Sequence, residues 1–180
     1  MAKQTRDAEF TDYVTSRSGW LRKVAYLLCG DWHRADDLVQ ETITKLYVHW
    51  SKASRADNLD GYARRTLVNT FLAEQRTSWW RRTIRTDIDP EALVASLDLD
   101  TSLDLRRALA ALPPRQRATV VLRYYCDLSI DQAAEALGCS SGNVKSQSSR
   151  ALDSLRRSLV PVTAHVAATV PVPTVAERAS

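Results

Sequence analysis

The chain has 180 residues, of which 44% are hydrophobic and 26% charged, and its formal net charge is +4. This length allows one domain or two small ones, and the composition is typical of a globular protein. The opening stretch MAKQTRDAEF lacks the apolar core of a secretory signal. No run approaches the roughly 18 apolar residues of a membrane span, so we expect no membrane insertion.

The charges are distributed unevenly. Residues 86–105 contain six acidic and no basic residues, so the +4 of the whole chain leaves +10 for the remainder. Two basic segments around an acidic connector are typical of proteins that bind nucleic acid. The connector, TDIDPEALVASLDLDTS, has no long helical period, so we predict a linker with at most a short helical piece.

The cysteines do not indicate a disulfide framework or a zinc ribbon. Cys29, Cys126 and Cys139 are far apart and lack a C-x-x-C spacing. Cys29 and His33 are four residues apart, but no second pair of ligands follows. We therefore expect reduced thiols in a cytoplasmic protein, with no metal and no cofactor.

Two amphipathic helices are predicted first. One runs from about Asp7 to Leu28, and the second follows Gly30 and ends near Trp50. The second helix has a polar outer face with residues at helical spacing: Asp37, Gln40, Glu41 and Thr44. A strip of this kind is most often a solvated face.

A polar loop, SKASRADNLD, precedes a third helix that begins near Leu59 and is rich in arginine. Arginines interleaved with tryptophans suit a separated or distorted DNA strand, because the charges bind phosphates and the flat groups stack on bases. The candidate residues are Arg64, Arg65, Arg76, Trp79, Trp80, Arg81 and Arg82. For the Trp pair, capping of the core at a helix end is an equal alternative.

The C-terminal part is predicted to contain four helices, and the last two form a helix-turn-helix. One helix spans about 103–112, and another starts at Pro114. Ser129 and Gln132 have the spacing of a capping box, and Gly138 suits a left-handed residue at the helix end. Ser140 can cap a long final helix, which ends near Leu159. Beyond residue 160 the Pro, Val, Ala and Thr composition favours disorder.

The polar face of the final helix is a candidate DNA-reading surface. Its members are polar or basic and lie in or just before the first turns: Ser141, Asn143, Lys145, Ser146, Gln147, Ser149 and Arg150. A recognition helix presents base and phosphate contacts at these positions. The alternative is an ordinary pair of antiparallel helices, but the local excess of positive charge favours DNA.

The segment LSIDQAAEALGCSSGNVKSQSSRALDSLR resembles the domain that binds the promoter −35 element in extracytoplasmic-function sigma factors, a branch of the sigma-70 family, and most closely the sigma-E-like group. Two positions depart from the family pattern. Asn143 stands where the family usually has Thr, and Gln147 where it usually has Arg. These departures concern which bases are read, and they do not affect the fold.

The segment ADDLVQETITKLYVHW resembles the sigma-factor region that docks on the clamp helices of the RNA polymerase β′ subunit. The resemblance implies that the contacts with core polymerase are Asp36, Asp37, Leu38, Gln40 and Glu41. It also implies that the loop near Asn58 captures a flipped base of the −10 element, and that the arginine-rich helix contacts −10 DNA.

These observations predict an all-α protein, with two small helical domains joined by an acidic linker and a helix-turn-helix in the C-terminal one. The expected boundaries are 1–85, 86–102 for the linker, 103–160, and 161–180 for the tail. The expected function is that of a bacterial sigma factor, whose partners are core RNA polymerase (β′ and β subunits) and promoter DNA. An anti-sigma factor is a further candidate partner.

Two other classes of protein account for less of the sequence. A helix-turn-helix regulator with a sensor or dimerisation domain would leave D-L-V-Q-E-T and the arginine-rich helix unexplained. An enzyme would need a phosphate-binding loop, a catalytic pair or a metal cluster, and the sequence shows none of these patterns.

Overall fold

A computed structural model of the chain describes residues 2–84 and 101–159, with the side chains of residues 4–77 and 104–159. The described residues are helical and contain no strand, so the predicted all-α class is confirmed. The helices are α1 (Ala2–Cys29), α2 (Trp32–Val48), α3 (Trp50–Ala53), α4 (Leu59–Ile84), α5 (Thr101–Ala111), α6 (Pro114–Val120), α7 (Ile130–Leu137) and α8 (Ser141–Leu159). The predicted linker, apart from residues 101 and 102, and the predicted tail lie outside the described residues.

The N-terminal domain is built from α1, α2 and α4. The predicted stripe on α1 is buried at Leu21, Val24 and Leu28, and it packs mainly on α2. Gly30 takes a left-handed conformation (φ 75°), which reverses the chain between the two helices at little steric cost. Asp31 then caps α2, because its carboxylate accepts a hydrogen bond of 2.8 Å from the Arg34 amide.

The segment after α2 differs from its prediction as one long loop. Trp50–Ala53 forms a helical turn, and only 54–58 separate it from α4. Trp50 and Ala53 are buried in the core, which stabilises a turn that the polar composition of the segment did not indicate.

The predicted cap signals of the helix-turn-helix are confirmed. The Ser129 hydroxyl accepts from the Gln132 amide at 3.1 Å, and the Gln132 side chain accepts from the Ser129 amide at 2.8 Å. Gly138 is left-handed (φ 61°) and ends α7. The Ser140 hydroxyl accepts from the Asn143 amide at 3.2 Å, which starts α8.

A π-helical turn, Val121–Tyr125, continues α6 and was not predicted. The Leu128 amide donates to the Leu122 carbonyl at 3.1 Å, and the Arg123 guanidinium donates to the Leu128 carbonyl. Asp127 between them has a positive φ of 51°. This wider turn leads the chain directly into the capping box of α7.

The two domains pack against each other in this structure. Buried side chains of α1, α2 and α4 belong to the same apolar cluster as those of α6, the π turn and α7, including Ala118, Leu122 and Leu137. A second, smaller cluster joins α5 and α6 to the later part of α8 through Leu109, Val120 and Leu155. The first cluster is therefore shared between the domains, whereas nearly all of the second belongs to the C-terminal domain.

Candidate functional site

The acidic face of α2 is exposed, as predicted, at Asp37, Gln40 and Glu41. Asp36 is less available, because it accepts hydrogen bonds from Arg22 Nε at 2.5 Å and Nη2 at 2.9 Å. These hydrogen bonds hold the pKa of the Asp36 carboxyl below its usual value. The Arg22 guanidinium also lies 4.5 Å from the centre of the Trp32 ring, so the Asp36 carboxylate takes part in fixing α1 against α2.

Leu38, one of the predicted polymerase contacts, has no exposed surface in this structure. Its side chain is fully buried in the shared core, since its position on α2 faces α1 and α4. Leu38 therefore packs in the core on the side of α2 opposite the acidic face. The corresponding exposed surface belongs to its polar neighbours Asp37 and Glu41.

The acidic face extends onto α4, which the sequence did not indicate. Glu41 is 2.6 Å from Lys45 Nζ, and Lys45 in turn donates to the Thr70 hydroxyl at 3.0 Å. Partial burial and the neighbouring Glu41 raise the pKa of Glu74 on α4. Glu41 and Glu74 therefore place two carboxyl groups side by side at the junction of the two helices.

Asn58 has a structural role in addition to its predicted place in the −10 loop. Its side-chain oxygen accepts from the Gly61 amide at 2.7 Å and so caps α4. A β-carbon on Gly61 would lie 2.9 Å from the Asn58 side chain, so the cap depends on glycine there. Asn58 also lines a cleft of about 370 Å³ between the 54–58 loop, α4 and α7.

The predicted −10 arginines have different environments. The Arg64 guanidinium lies 5.4 Å from the Trp20 ring centre, and its Nε is 3.4 Å from the Asp60 carbonyl oxygen. Arg65 lies 3.8 Å from Glu135 of α7, whereas Arg76 is exposed. The side chains of Trp79, Trp80, Arg81 and Arg82 lie outside the described residues, although their backbone belongs to α4.

The recognition helix α8 divides into a buried and an open face. Val144, Ala151 and Leu155 are buried. The predicted −35 residues that are exposed on the other face are Asn143, Lys145, Ser146, Ser149 and Arg150. They include two basic and no acidic side chains, a charge pattern suited to a phosphate backbone.

Two further −35 candidates are partly engaged within the protein. The Ser141 hydroxyl donates to Asp131 of α7 at 2.5 Å, which ties together the two helices of the motif. Gln147 is half-buried and, with Arg150, lines a groove of about 790 Å³ against α4, where Arg76 lies. The structure thus brings predicted −10 and −35 residues to opposite walls of one groove.

The described residues hold no group of three or more side chains with the chemistry of a metal site. Cys29 is buried, and burial raises the pKa of its thiol to about 11, whereas His33 four residues later is exposed. Over the described ranges, no helix has both the length and the apolar character needed to cross a membrane.

Comparisons with known proteins match both domains. The Sigma-70 region 2 family matches residues 13–81, and the Sigma-70 region 4 family matches residues 102–155. The RNA polymerase sigma-E factor of Streptomyces avermitilis is 38% identical over 84% of this chain and 85% of that protein. The sigma-E factor of Streptomyces coelicolor is 37% identical over 84% of this chain and 86% of that protein.

The fold agrees with a solved sigma factor. The RpoE sigma factor of Bartonella quintana, solved in complex with the anti-sigma factor NepR, has a TM-score of 0.72 and 26% identity, covering 84% of this chain and 96% of that one. This chain belongs to the sigma-70 family, in its extracytoplasmic-function branch. It is therefore a transcription initiation factor that recognises promoters together with RNA polymerase, and it is not an enzyme.

Proposed function

We propose that this sigma factor works through three surfaces: the acidic face of α2 for core polymerase, the 54–58 loop with α4 for the −10 element, and the exposed face of α8 for the −35 element. The observation that carries the proposal is the exposed face of α8. That face presents Lys145 and Arg150, with Asp153 the one acidic residue of the helix, and the start of the helix is fixed by a capped turn. The units that carry these surfaces are the predicted domains 1–85 and 103–160.

The acidic face of α2 suits a basic docking partner. Asp37 and Glu41 lie one helical turn apart and both are exposed, and Glu74 extends the negative surface onto α4. An acidic patch of this kind attracts a basic surface at long range and gives association that weakens with salt. The clamp helices of the β′ subunit are the partner surface that the family resemblance implies.

Charge reversal tests this surface. Asp37→Lys together with Glu41→Lys should weaken assembly with core polymerase, measured as holoenzyme formation by the full-length protein at two salt concentrations. Folding should be unaffected, because both side chains are exposed. The matched control is Glu9→Lys with Asp12→Lys, which makes the same change of charge on an exposed part of α1. Equal loss of assembly in the control pair would show that net charge matters and the α2 face does not.

The overall function is tested by transcription in vitro. Core polymerase with this protein should initiate at promoters that core polymerase alone does not use. Failure to initiate at any member of a randomised promoter library would contradict the proposed function.

Two further proposals concern a regulatory partner of the protein and its location in the cell. An anti-sigma factor is a proposed partner, which is supported by the Bartonella RpoE structure in complex with NepR. Cytoplasmic localisation is proposed because promoter recognition takes place on chromosomal DNA. Affinity capture of the tagged protein from its own cells tests for an anti-sigma partner. Cell fractionation tests the cytoplasmic localisation.

A further inference from the structure

Both ends of the 54–58 loop are fixed to α1 by one tyrosine. Trp50, in the helical turn before the loop, is 2% exposed, and its ring centre lies 5.7 Å from that of Tyr13. Asp60, in the first turn of α4 after the loop, accepts a hydrogen bond of 3.1 Å from the Tyr13 hydroxyl. The ring of Tyr13 therefore contacts the segment before the loop, and its hydroxyl reaches the helix after it.

The segment before the loop is held to α1 by ring contacts. The Phe10 ring lies edge-to-face with that of Trp50, with centres 5.1 Å apart, and the Tyr13 ring adds a second, tilted contact. The Trp50 Nε1 is buried and has no hydrogen-bond partner within the described part of the chain. The orientation of Trp50 is therefore set by how its ring packs against α1, and this packing determines where the loop begins.

The segment after the loop is held by two polar contacts to Asp60. Arg17 Nη2 lies 3.0 Å from one carboxylate oxygen, but the Arg17 side chain is 49% exposed, so solvent weakens this ion pair. Tyr13 is half-buried, and its burial together with the neighbouring Asp60 carboxylate raises the pKa of its phenol. The hydroxyl therefore keeps its proton and remains a donor at neutral pH. The Tyr13 hydrogen bond is the better shielded of the two contacts.

The shortness of the loop makes its conformation depend on both ends. Only five residues, 54–58, separate α3 from α4. Asn58 accepts from the Gly61 amide, so its position follows the first turn of α4. A flipped base has lost its stacking, and its capture offsets that loss best when the receiving pocket is already formed. A small shift at either end of the loop would therefore weaken capture.

We propose that Tyr13 is a positioning residue for −10 recognition: by joining Trp50 to Asp60 it holds the 54–58 loop in the conformation that accepts the flipped base. The proposal rests on the proposed function of this loop. A correct base gains affinity from capture, whereas a wrong base does not. Loss of positioning should therefore weaken binding of the correct −10 sequence alone, which reduces discrimination between correct and wrong bases.

The test variant is Tyr13→Phe, which keeps the ring against Trp50 and removes the hydroxyl that donates to Asp60. The measured quantity is the ratio of two initiation rates, one at the −10 sequence that wild-type holoenzyme uses best and one at each of its single-base variants. At the most sensitive position this ratio should fall by about threefold to tenfold, the range expected for one hydrogen bond. A ratio does not depend on the amount of active protein, so poorer folding alone would leave it unchanged.

Two controls separate positioning from a general loss of structure. Tyr47→Phe removes another tyrosine-to-carboxylate hydrogen bond of 3.1 Å, to Asp7, and should leave the −10 ratio at the wild-type value. Single-base changes in the −35 element should have the same effect on Tyr13→Phe as on the wild type, because α8 is proposed to read that element. An equal fall of the −10 ratio in Tyr47→Phe, or a parallel fall of −35 discrimination in Tyr13→Phe, would overturn the proposal.

Substitutions of Asp60 identify the contact that is responsible. Asp60→Asn keeps an oxygen that accepts from Tyr13 and removes the ion pair with Arg17, so it should retain most of the discrimination. Asp60→Ala removes both contacts, and adding Tyr13→Phe to it should cause no further loss. A wild-type ratio in Tyr13→Phe, or a further loss in the double variant, would refute the role of Tyr13. If wild-type holoenzyme initiates with no preference among −10 sequences, the proposed function of the loop is wrong instead.

Discussion

The cap at the start of α4 allows a prediction in which the size of one substitution's effect on stability depends on a second residue. Asn58 accepts from the Gly61 amide at 2.7 Å, and a β-carbon at position 61 would lie 2.9 Å from the Asn58 Cγ and Nδ2 atoms. In Gly61→Ala the short Asn58 side chain must swing away, and the cap is lost. Such a cap contributes about 1 kcal/mol to stability. Replacement of glycine by alanine within a helix gains about the same amount.

The two effects nearly cancel in the wild-type background. We therefore expect Gly61→Ala to change the free energy of unfolding by less than about 0.5 kcal/mol, and Asn58→Ala to lower it by about 1 kcal/mol. In the Asn58→Ala background the cap is already absent, so Gly61→Ala should then stabilise the protein by up to about 1 kcal/mol. The coupling between the two sites equals the energy of the cap.

Urea unfolding followed by circular dichroism measures all four proteins of this cycle, with the slope of the transition as a check that the same structure unfolds. If Gly61→Ala had the same effect in both backgrounds, Asn58 would not cap α4. The assignment of a structural role to Asn58 would then be wrong, and its side chain would be free for the −10 base alone.

Four other predictions concern one cap, the buried thiol and the recognition helix. Ser129→Ala should remove one half of the capping box and destabilise the C-terminal domain by about 1 kcal/mol, measured by urea unfolding. The raised pKa of Cys29, about 11 against 9.0 for a free thiol, means that stability should fall as pH rises from about 9 to 11, because the unfolded chain loses the thiol proton first. Cys29→Ala should make this fall shallower, and an identical pH profile would contradict it. Lys145→Ala should weaken binding to all −35 sequences alike and reduce the salt dependence by about one unit of slope. Gln147→Arg should change the preferred base at one position by roughly 1–3 kcal/mol, which selection from randomised −35 elements would detect.

Local signals predicted the helix-turn-helix well because its determinants lie within a few residues of one another. The Ser129 capping box, the left-handed Gly138 and the Ser140 cap each depend on backbone groups three or four residues away. Their spacing is visible in the sequence, and the structure agrees at each position.

The structure differs from the sequence-based predictions where contacts between distant parts of the chain determine the local conformation or burial. Trp50 and Ala53 form a helical turn because the core receives them, although the segment around them is polar. Gln147 is half-buried because α4 lies beside it, and this contact joins residues far apart in sequence. Leu38 is a predicted polymerase contact from family resemblance, and the packing of α2 against α1 and α4 buries it.

The hydrogen bonds of Arg117 on α6 could not be predicted from the sequence. The Arg117 guanidinium donates to the main-chain carbonyls of Leu28, Ala110 and Leu112. Every residue has a main-chain carbonyl, so the amino-acid sequence does not show which one will accept. The π-helical turn is similar, because it is accompanied by a contact of Arg123 with a main-chain carbonyl and by the positive φ of Asp127, and residue identity indicates neither.

The shared apolar cluster also affects how the chain melts. Leu28, Phe71 and Leu122 lie in one buried cluster, so heat should disrupt both domains in a single cooperative transition while they remain together. Either domain on its own would keep a smaller core and would expose the apolar face that the other domain covers. An isolated domain with such a face is vulnerable to proteases and to self-association.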